Sequence, residues 1–383
     1  MALSGAFDVA IVGAGPAGSS AAIELADRGF SAALFERESF PRDKVCGEFL
    51  SSRVWPELER WGLARELRRN RVEEIRRAAL YFDGDRPAEF ELPEVAFGVS
   101  RRLLDSLLAR RAEKAGTKVF FSTEIDEIQG SLENGFALTS KSGGEDFRAR
   151  VVLAAWGRFS GLDRRLQRPF AARTLGRFFG WKRRYEGASG HLEGRIHLYF
   201  FRGGYCGVSR VEAGLVNFAG IVSERALRAA GLGWDRFTKQ LIDNHPVLAS
   251  HLGPLSPAGP ILGSPTVFFE RHSLLIGDIL AIGDAAGIRD PFTGDGQASA
   301  IVSGVSAARS VTPYLRGETD SARMKRDYRG RWEGLLGRRF LWDAVMRRAF
   351  FSAPLRRLLR PVAPALARRA FLLTRAATAK ISQ

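Results

Sequence analysis

Residues Gly13-Ala14-Gly15-Pro16-Ala17-Gly18 constrain this chain more than any other short stretch in it. They follow an apolar run, Phe7 to Val12. They open a segment, Pro16 to Arg28, whose Ala, Ile and Leu recur at helical spacing until Gly29 stops it. A second apolar run, Ala32 to Phe35, then closes on Glu36 and Arg37. Strand, tight turn, helix and strand in about thirty residues make a βαβ unit, which requires a parallel sheet. In that frame the three glycines have separate duties. Gly13 allows the turn, Gly15 lets the backbone approach a pyrophosphate, and Gly18 lets helix and strand pack closely. The helix start faces the phosphate charge, and Glu36 is placed to accept the hydroxyls of an adenosine ribose.

A second site, far along the chain, decides which dinucleotide is expected. The stretch "LAIGDAAGIRDPFTGDGQASAI" puts Gly283 and Asp284 at the end of a buried strand. After Pro291, Gly294-Asp295-Gly296 opens a helix of small residues. Asp284 would bind the ribityl hydroxyls of an extended flavin. The Gly294–Gly296 backbone would face the electron-rich N1/O2 edge of isoalloxazine, where a helix dipole favours negative charge. A nicotinamide cofactor needs no such distant clamp, so FAD is the expected cofactor. With a single dinucleotide fingerprint in the chain, NAD(P)H or another reductant would act as a visiting electron donor.

Between these sites the pattern alternates. "SSRVWPELERWGL" reads as a helix, "AALYFDGDRPAEFEL" as a strand hairpin, and "SRRLLDSLLARRAEKAG" as an amphipathic helix. Strands are expected at "KVFFS", "GFALTS" and "RARVVLAAW". From about Leu175 to Val222 the chain is rich in β-branched and aromatic residues with glycine turns, a run of antiparallel strands. The expected fold is α/β: a Rossmann-like FAD-binding domain with an inserted, mainly antiparallel β-sheet substrate domain and a helical C-terminal region. Residues 1–75, 98–160 and 265–320 would form the discontinuous FAD-binding domain, and 76–97 with 161–264 the substrate domain. Residues 321–383 would form the basic amphipathic region.

The chain's 383 residues, 45% hydrophobic and 26% charged, suit a folded protein with a large core. A net charge of +16 invites nucleic acid, but no motif that reads RNA or DNA accompanies it. From Arg323 to Lys380 there are 16 Lys and Arg against 3 Asp and Glu, so most of the excess sits in the tail. That tail mixes Arg pairs with Leu, Phe and Trp, broken by Pro354, Pro361 and Pro364. It could cap a substrate cavity, pack on the protein's own core, or rest on anionic lipid as a peripheral membrane contact. Two cysteines, Cys46 and Cys206, make no disulfide framework, and no apolar run is long enough to span a bilayer. The start of the chain lacks a basic segment before its apolar run, so a signal peptide is not expected. A cytoplasmic setting follows, with attachment at the inner face of the membrane as the variant the tail allows.

Three stretches together carry a family resemblance: residues 8–48 ending in "FPRDKVCGE", "SRRLLDSLL", and "AIGDAAGIRDPFTGDGQASAI". They resemble the superfamily that joins aromatic-hydroxylase-type flavoprotein monooxygenases with geranylgeranyl reductases, over about residues 7 to 320. The turn at residues 40–48 is closest to the reductase branch, where it runs beside the flavin. The resemblance implies that Arg42 and Lys44 lie near the cofactor's diphosphate or ring edge, with Gly47 beside them. It also implies that Arg101 contacts the cofactor through its guanidinium and that the strand near Ile125 borders the adenine. Hydroxylases of the superfamily carry Asp-Gly where this chain has Trp156-Gly157, which weakens a hydroxylase reading. The halogenase turn and Trp-containing motif are absent.

Cys46 is either a small apolar residue in a turn or a thiol facing isoalloxazine, shaping substrate access or donating a proton. On the substrate side, Tyr205, His197 and Arg210 are the candidate contacts. No carboxylate pair, Ser-His-Asp set or metal cluster emerges, and flavin chemistry requires none. The expected function is an FAD-dependent oxidoreductase acting on a hydrophobic polyprenyl or polyketide-like substrate, reducing a carbon–carbon double bond by hydride from flavin N5. The alternative in the same class is a monooxygenase that hydroxylates or epoxidises such a substrate through a C4a-hydroperoxide. An alternative in another class is a non-catalytic lipid escort, since the expected fold resembles that of the prenyl-GTPase dissociation inhibitors.

Overall fold

The computed structural model describes residues 6–82, 86–143, 146–158, 160–172, 178–231, 233–267, 269–337, 340 and 365. The expectation of helices in the tail beyond Phe340 therefore lies outside the described residues, save Ala365.

Two sheets organise the chain. The first has eight strands: β1 (Ala6–Val12), β2 (Ala32–Phe35), β6 (Lys118–Phe120), β7 (Ile125–Ser131), β8 (Gly135–Ser140), β9 (Asp146–Ala154), β16 (Leu275–Ile276) and β17 (Ile279–Ala281). Its spine runs β16-β17-β9-β1-β2-β6, parallel except for the β16–β17 hairpin, and β7–β8 forms an antiparallel flap on β9. Parallel strands buried on both faces read as continuous apolar runs, which is why "VAIV" and "AALF" lack alternation.

Helix α1 (Pro16–Ala26) crosses from β1 to β2, with Pro at its first position and Gly29 at a left-handed φ of 84° just past its end. Helices α2 (Trp55–Arg60) and α3 (Leu63–Arg69) occupy the stretch read as one helix, because Gly62 breaks it at φ 77°. Helix α4 (Arg101–Lys114) starts on Ser100, whose hydroxyl accepts the Leu103 N–H. A short helix, α5 (Gly161–Arg165), follows β9.

The second sheet has nine strands: β3 (Phe49–Leu50), β4 (Glu73–Tyr81), β5 (Ala88–Gly98), β10 (Phe178–Gly187), β11 (Arg195–Phe201), β12 (Gly204–Arg210), β13 (Val216–Ser223), β14 (Leu255–Pro257) and β15 (Leu262–Val267). It is antiparallel apart from the β11–β4 pair. Three helices that the sequence reading passed over, α6 (Glu224–Ala229), α7 (Trp234–Asp243) and α8 (Pro246–Leu252), cover one face of it. Trp181, Tyr199, Cys206, Val208 and Phe218 pack there against Phe237, Leu241 and Leu248. The other face carries Leu80, Leu198, Phe200, Tyr205 and Ile221, and these meet Phe292 of the FAD-side half.

Helix α9 (Gly296–Leu315) returns the chain to the first sheet and packs on α1. The two backbones nearly touch: a Cβ on Gly304 would stand 2.1 Å from the Ala17 carbonyl oxygen. Only a helix of small residues can approach so closely. Two of its buried hydroxyls bond back one turn, Ser310 donating to the Ser306 carbonyl and Thr312 to that of Ala308. Helix α10 (Ser321–Trp332) packs against α9, capped by Asp320.

Candidate active site

The two glycine-bearing helix starts converge. Gly13 adopts φ 110° with its Cα against the chain at Ala155, and Gly18 packs on the Gly13 carbonyl, so neither position admits a side chain. Gly15, by contrast, is open except for the Arg101 guanidinium, 3.6 Å from where a Cβ would stand. Gly283, at φ 60°, lies against Ala17 of α1, which brings Asp284 to the mouth of the first motif. Gly296 and Gly47 have nothing within 4 Å of a built Cβ. Gly15, Gly47 and Gly296 are thus open where the two motifs approach each other. Neither α1 nor α9 has a capping side chain or an acidic residue in its first turn, which leaves both sets of N–H groups for an electron-rich ligand. These features fit an extended flavin dinucleotide, with Gly13–Gly18 at its phosphates and Gly294–Gly296 at its ring.

Charged groups brace the cleft in a buried ladder. Glu36 accepts from the Ala14 N–H at 3.1 Å and from Arg42 at 3.0 Å; Arg42 also donates to Asp105 at 2.8 Å. Asp105 in turn receives Nε and Nη2 of Arg101 as a bidentate pair, each at 2.7 Å. Burial works against the charge of Arg101, yet Asp105 outweighs it and holds the guanidinium above its ordinary pKa. Cys46 and Asp284 also lie within electrostatic reach of Arg101. Asp284 itself pairs with Arg158 at 3.3 Å, and Arg158 reaches the Val45 carbonyl at 3.2 Å.

Several expected residues sit differently from the simplest reading. Arg42 is occupied by Glu36 and Asp105. Lys44, expected beside the thiol, pairs with Glu38, as Arg37 does. Asp295 points inward, clamped by Arg53 at 2.8 Å and Arg289 at 2.5 Å, so it anchors the turn while Gly296 stays open and Gly294 packs against the Phe49 ring. Ile125 is buried in the core at the start of β7; the loop before it runs beside Glu36, whose carbonyl accepts the Thr123 N–H at 2.8 Å. Pro291 is exposed at the head of the turn into α9. Trp156 packs behind Gly13 and donates to Asp163 at 2.9 Å.

Cys46 lies at the junction of the two halves. Its Sγ accepts from Gln297 Nε2 at 3.3 Å and from the Glu48 N–H at 3.4 Å, and its carbonyl accepts from Asn217 Nδ2 at 3.1 Å. Gln297 is the second residue of α9, so the thiol stands beside the helix start that faces the expected ring. Tyr205 lies on the inner face of the sheet, with its ring edge-on to Phe292 at 5.8 Å. In the same face Gly207 and Ala219 sit side by side across β12 and β13, between bulkier rows.

The other two substrate candidates are displaced. His197 points to the opposite, helix-covered face, where its Nδ1 meets the Tyr81 hydroxyl at 3.3 Å. Strand alternation puts it one residue out of phase with the inner row. Arg210 is engaged at the sheet's end with Glu73 at 3.4 Å and Glu193 at 3.3 Å. Sequence reading missed Asp105, Arg158, Asn217, Gln297 and the buried Lys182. Among the described residues no cluster of His, Cys, Asp and Glu could hold a metal, and no helix is long and apolar enough to cross a membrane.

Two uncapped helix starts, brought together where Gly283 lies on Ala17 and Gln297 meets Cys46, fit a flavin-dependent oxidoreductase. Comparison with known proteins agrees. Residues 6–177 match the FAD binding domain family. The chain is similar to digeranylgeranylglycerophospholipid reductase 2 of Methanopyrus kandleri, 28% identical over 380 residues that cover 94% of this chain and 91% of that protein. Among solved structures it is similar to a geranylgeranyl bacteriochlorophyll reductase-like protein of Thermoplasma acidophilum, at a TM-score of 0.80 and 22% identity, covering 98% of this chain and 97% of the other. A triple mutant of the flavin-dependent brominase Bmp2 aligns at a TM-score of 0.81 and 18% identity, covering 97% and 95%. At such identities the two structures show the shared fold alone. The chain is an FAD-dependent oxidoreductase, similar over nearly its whole length to a digeranylgeranyl lipid reductase.

Proposed function

We propose that this protein reduces a carbon–carbon double bond in a polyprenyl-type lipid. The observation that carries the reading is the position of Cys46, whose Sγ meets Gln297 at the start of α9 and whose carbonyl meets Asn217, on the sheet face that also carries Ile221 and Tyr205. Similarity over nearly the whole chain to a protein named as a reductase of a digeranylgeranyl lipid supports the substrate class. FAD, when bound and reduced, supplies the hydride.

The chain's own residues do the rest. Gly13–Gly18 and the Arg101–Asp105 pair hold the dinucleotide, and the start of α9 stabilises negative charge at the ring. The inner sheet face takes the hydrocarbon and excludes water. Cys46, held by Gln297, donates a proton from Sγ to the second carbon of the double bond. A nicotinamide or another carrier delivers electrons by transient docking.

Anaerobic turnover tests the reading. Dithionite-reduced, FAD-loaded enzyme should form the saturated product without oxygen, from a geranylgeranyl lipid. Product that appears only with oxygen, and that contains it, would replace reduction with hydroxylation or epoxidation.

A further inference from the structure

Lys182 stands on β10, facing the FAD-side half and fully buried, and no step above uses it. A buried ammonium persists where partners take its donors. Its Nζ donates to Glu48 Oε1 at 2.6 Å, to Asp43 Oδ1 at 3.1 Å and to the Lys44 carbonyl at 3.5 Å. All three acceptors belong to the short segment that carries Cys46. Arg184, two residues on, adds a bond to Asp43 Oδ1 at 2.9 Å.

Glu48 completes the link. It is buried at φ 55°, a left-handed conformation that costs a residue with a side chain. That side chain is what holds it there: Oε1 accepts both Lys182 and the Arg101 N–H, the latter at 3.0 Å. Its own N–H points at Cys46 Sγ, and its carbonyl accepts the Val99 N–H at 2.9 Å. A glycine would adopt the turn more easily, but it would give the lysine nothing to bind.

We propose that Lys182 and Glu48 are a positioning pair, through which the substrate sheet fixes the direction of the Cys46 thiol toward the cofactor cleft. The proposal rests on the reading of Cys46 as facing that cleft. It makes the thiol's orientation a property of both halves of the molecule, because the ammonium comes from one and the carboxylate from the other.

The test is alkylation of the full-length, FAD-loaded protein by iodoacetamide. Cys206 is fully buried, so Cys46 is the thiol that reacts. Lys182→Met/Glu48→Gln removes both charges and strands neither. It should retain FAD while its alkylation rate changes about ten-fold or more and its flavin absorption bands shift. Glu48→Gln alone keeps an acceptor for Lys182 and should stay within about two-fold of the parent. A folded, FAD-bound double variant with the parent's alkylation rate and spectrum would overturn the proposal. If that variant loses FAD, Lys182→Met alone, which removes the sheet's donor while burial lets the Glu48 carboxyl take up a proton, is read by the same two measurements and the same criteria. Alkylation needs no substrate, so failure here is distinct from failure of the reductase assay.

Discussion

Gln297 Nε2 donates to Cys46 Sγ at 3.3 Å, joining positions 251 residues apart. The contact ties the turn after β2 to the first turn of α9, the two segments expected to border the flavin ring. Replacing Cys46 with Ala removes the proposed proton donor while leaving the glycine motifs untouched. Turnover should fall about 10²-fold with FAD content unchanged. Flavin absorbance per protein and steady-state rates check this. Full activity in Cys46→Ala would return the thiol to a packing role.

Asp105 carries two guanidiniums, those of Arg42 and Arg101, while fully buried. Asp105→Asn leaves two buried cations short of their counterion, which costs about 3 kcal/mol where one partner of a buried pair is lost. The variant should melt earlier and bind FAD more weakly, because Arg101 is then free to leave the cleft beside Gly15. Differential scanning fluorimetry and a flavin fluorescence titration read the two effects separately.

Burial, reinforced by His251, pushes the imidazole of His197 down to about 3 from an ordinary 6.5. Burial and the nearby Arg168 push that of His272 down to about 4. Both rings are thus neutral in the folded protein, whereas the unfolded chain protonates them below pH 6.5. Between pH 6.5 and the folded values the unfolded state binds more protons, so stability declines as the solution is acidified. Each group contributes a slope approaching about 1.4 kcal/mol per pH unit. Urea unfolding midpoints at pH 7.5, 6 and 5 should fall in turn, and His197→Gln should flatten the decline. An acid limb identical in that variant would assign the loss elsewhere.

Gly304 meets the Ala17 carbonyl with no room for a methyl group. Because the obstacle is backbone, it cannot rotate away, and overpacking of this kind costs about 1–3 kcal/mol. Gly304→Val should therefore lower the melting temperature and weaken FAD binding together, since α1 and α9 both lose their seat. A variant with lowered stability but parental FAD affinity would show that the helix starts keep their places independently.

The FAD-side half was largely legible in the sequence because its signals are local. Glycines with fixed duties, an apolar run on each side and one closing carboxylate give the βαβ unit without any tertiary information. The same holds for Gly283-Asp284 and the opening of α9. Helices α6–α8 were missed although Trp234, Phe237 and Leu241 recur at helical spacing; the surrounding strands drew that segment into the sheet. His197 and Tyr205 show where pattern runs out. Alternation separates them onto opposite faces, but both faces are buried, so only the fold reveals which one meets Phe292. Lys182 was beyond reach for another reason: its carboxylate partner Glu48 lies 134 positions away, and a lone lysine in a strand reads as surface.

The close seat of Gly304 on Ala17 has a consequence for how the protein is made. The first motif leaves the ribosome early, yet its partner helix arrives only after the entire second sheet has been synthesised. Until then α1 has no neighbour across its small-residue side, and the nascent chain holds half a binding site. Cofactor capture is therefore a late event in biogenesis, and products cut short before α9 would be colourless however well their amino-terminal strands had folded.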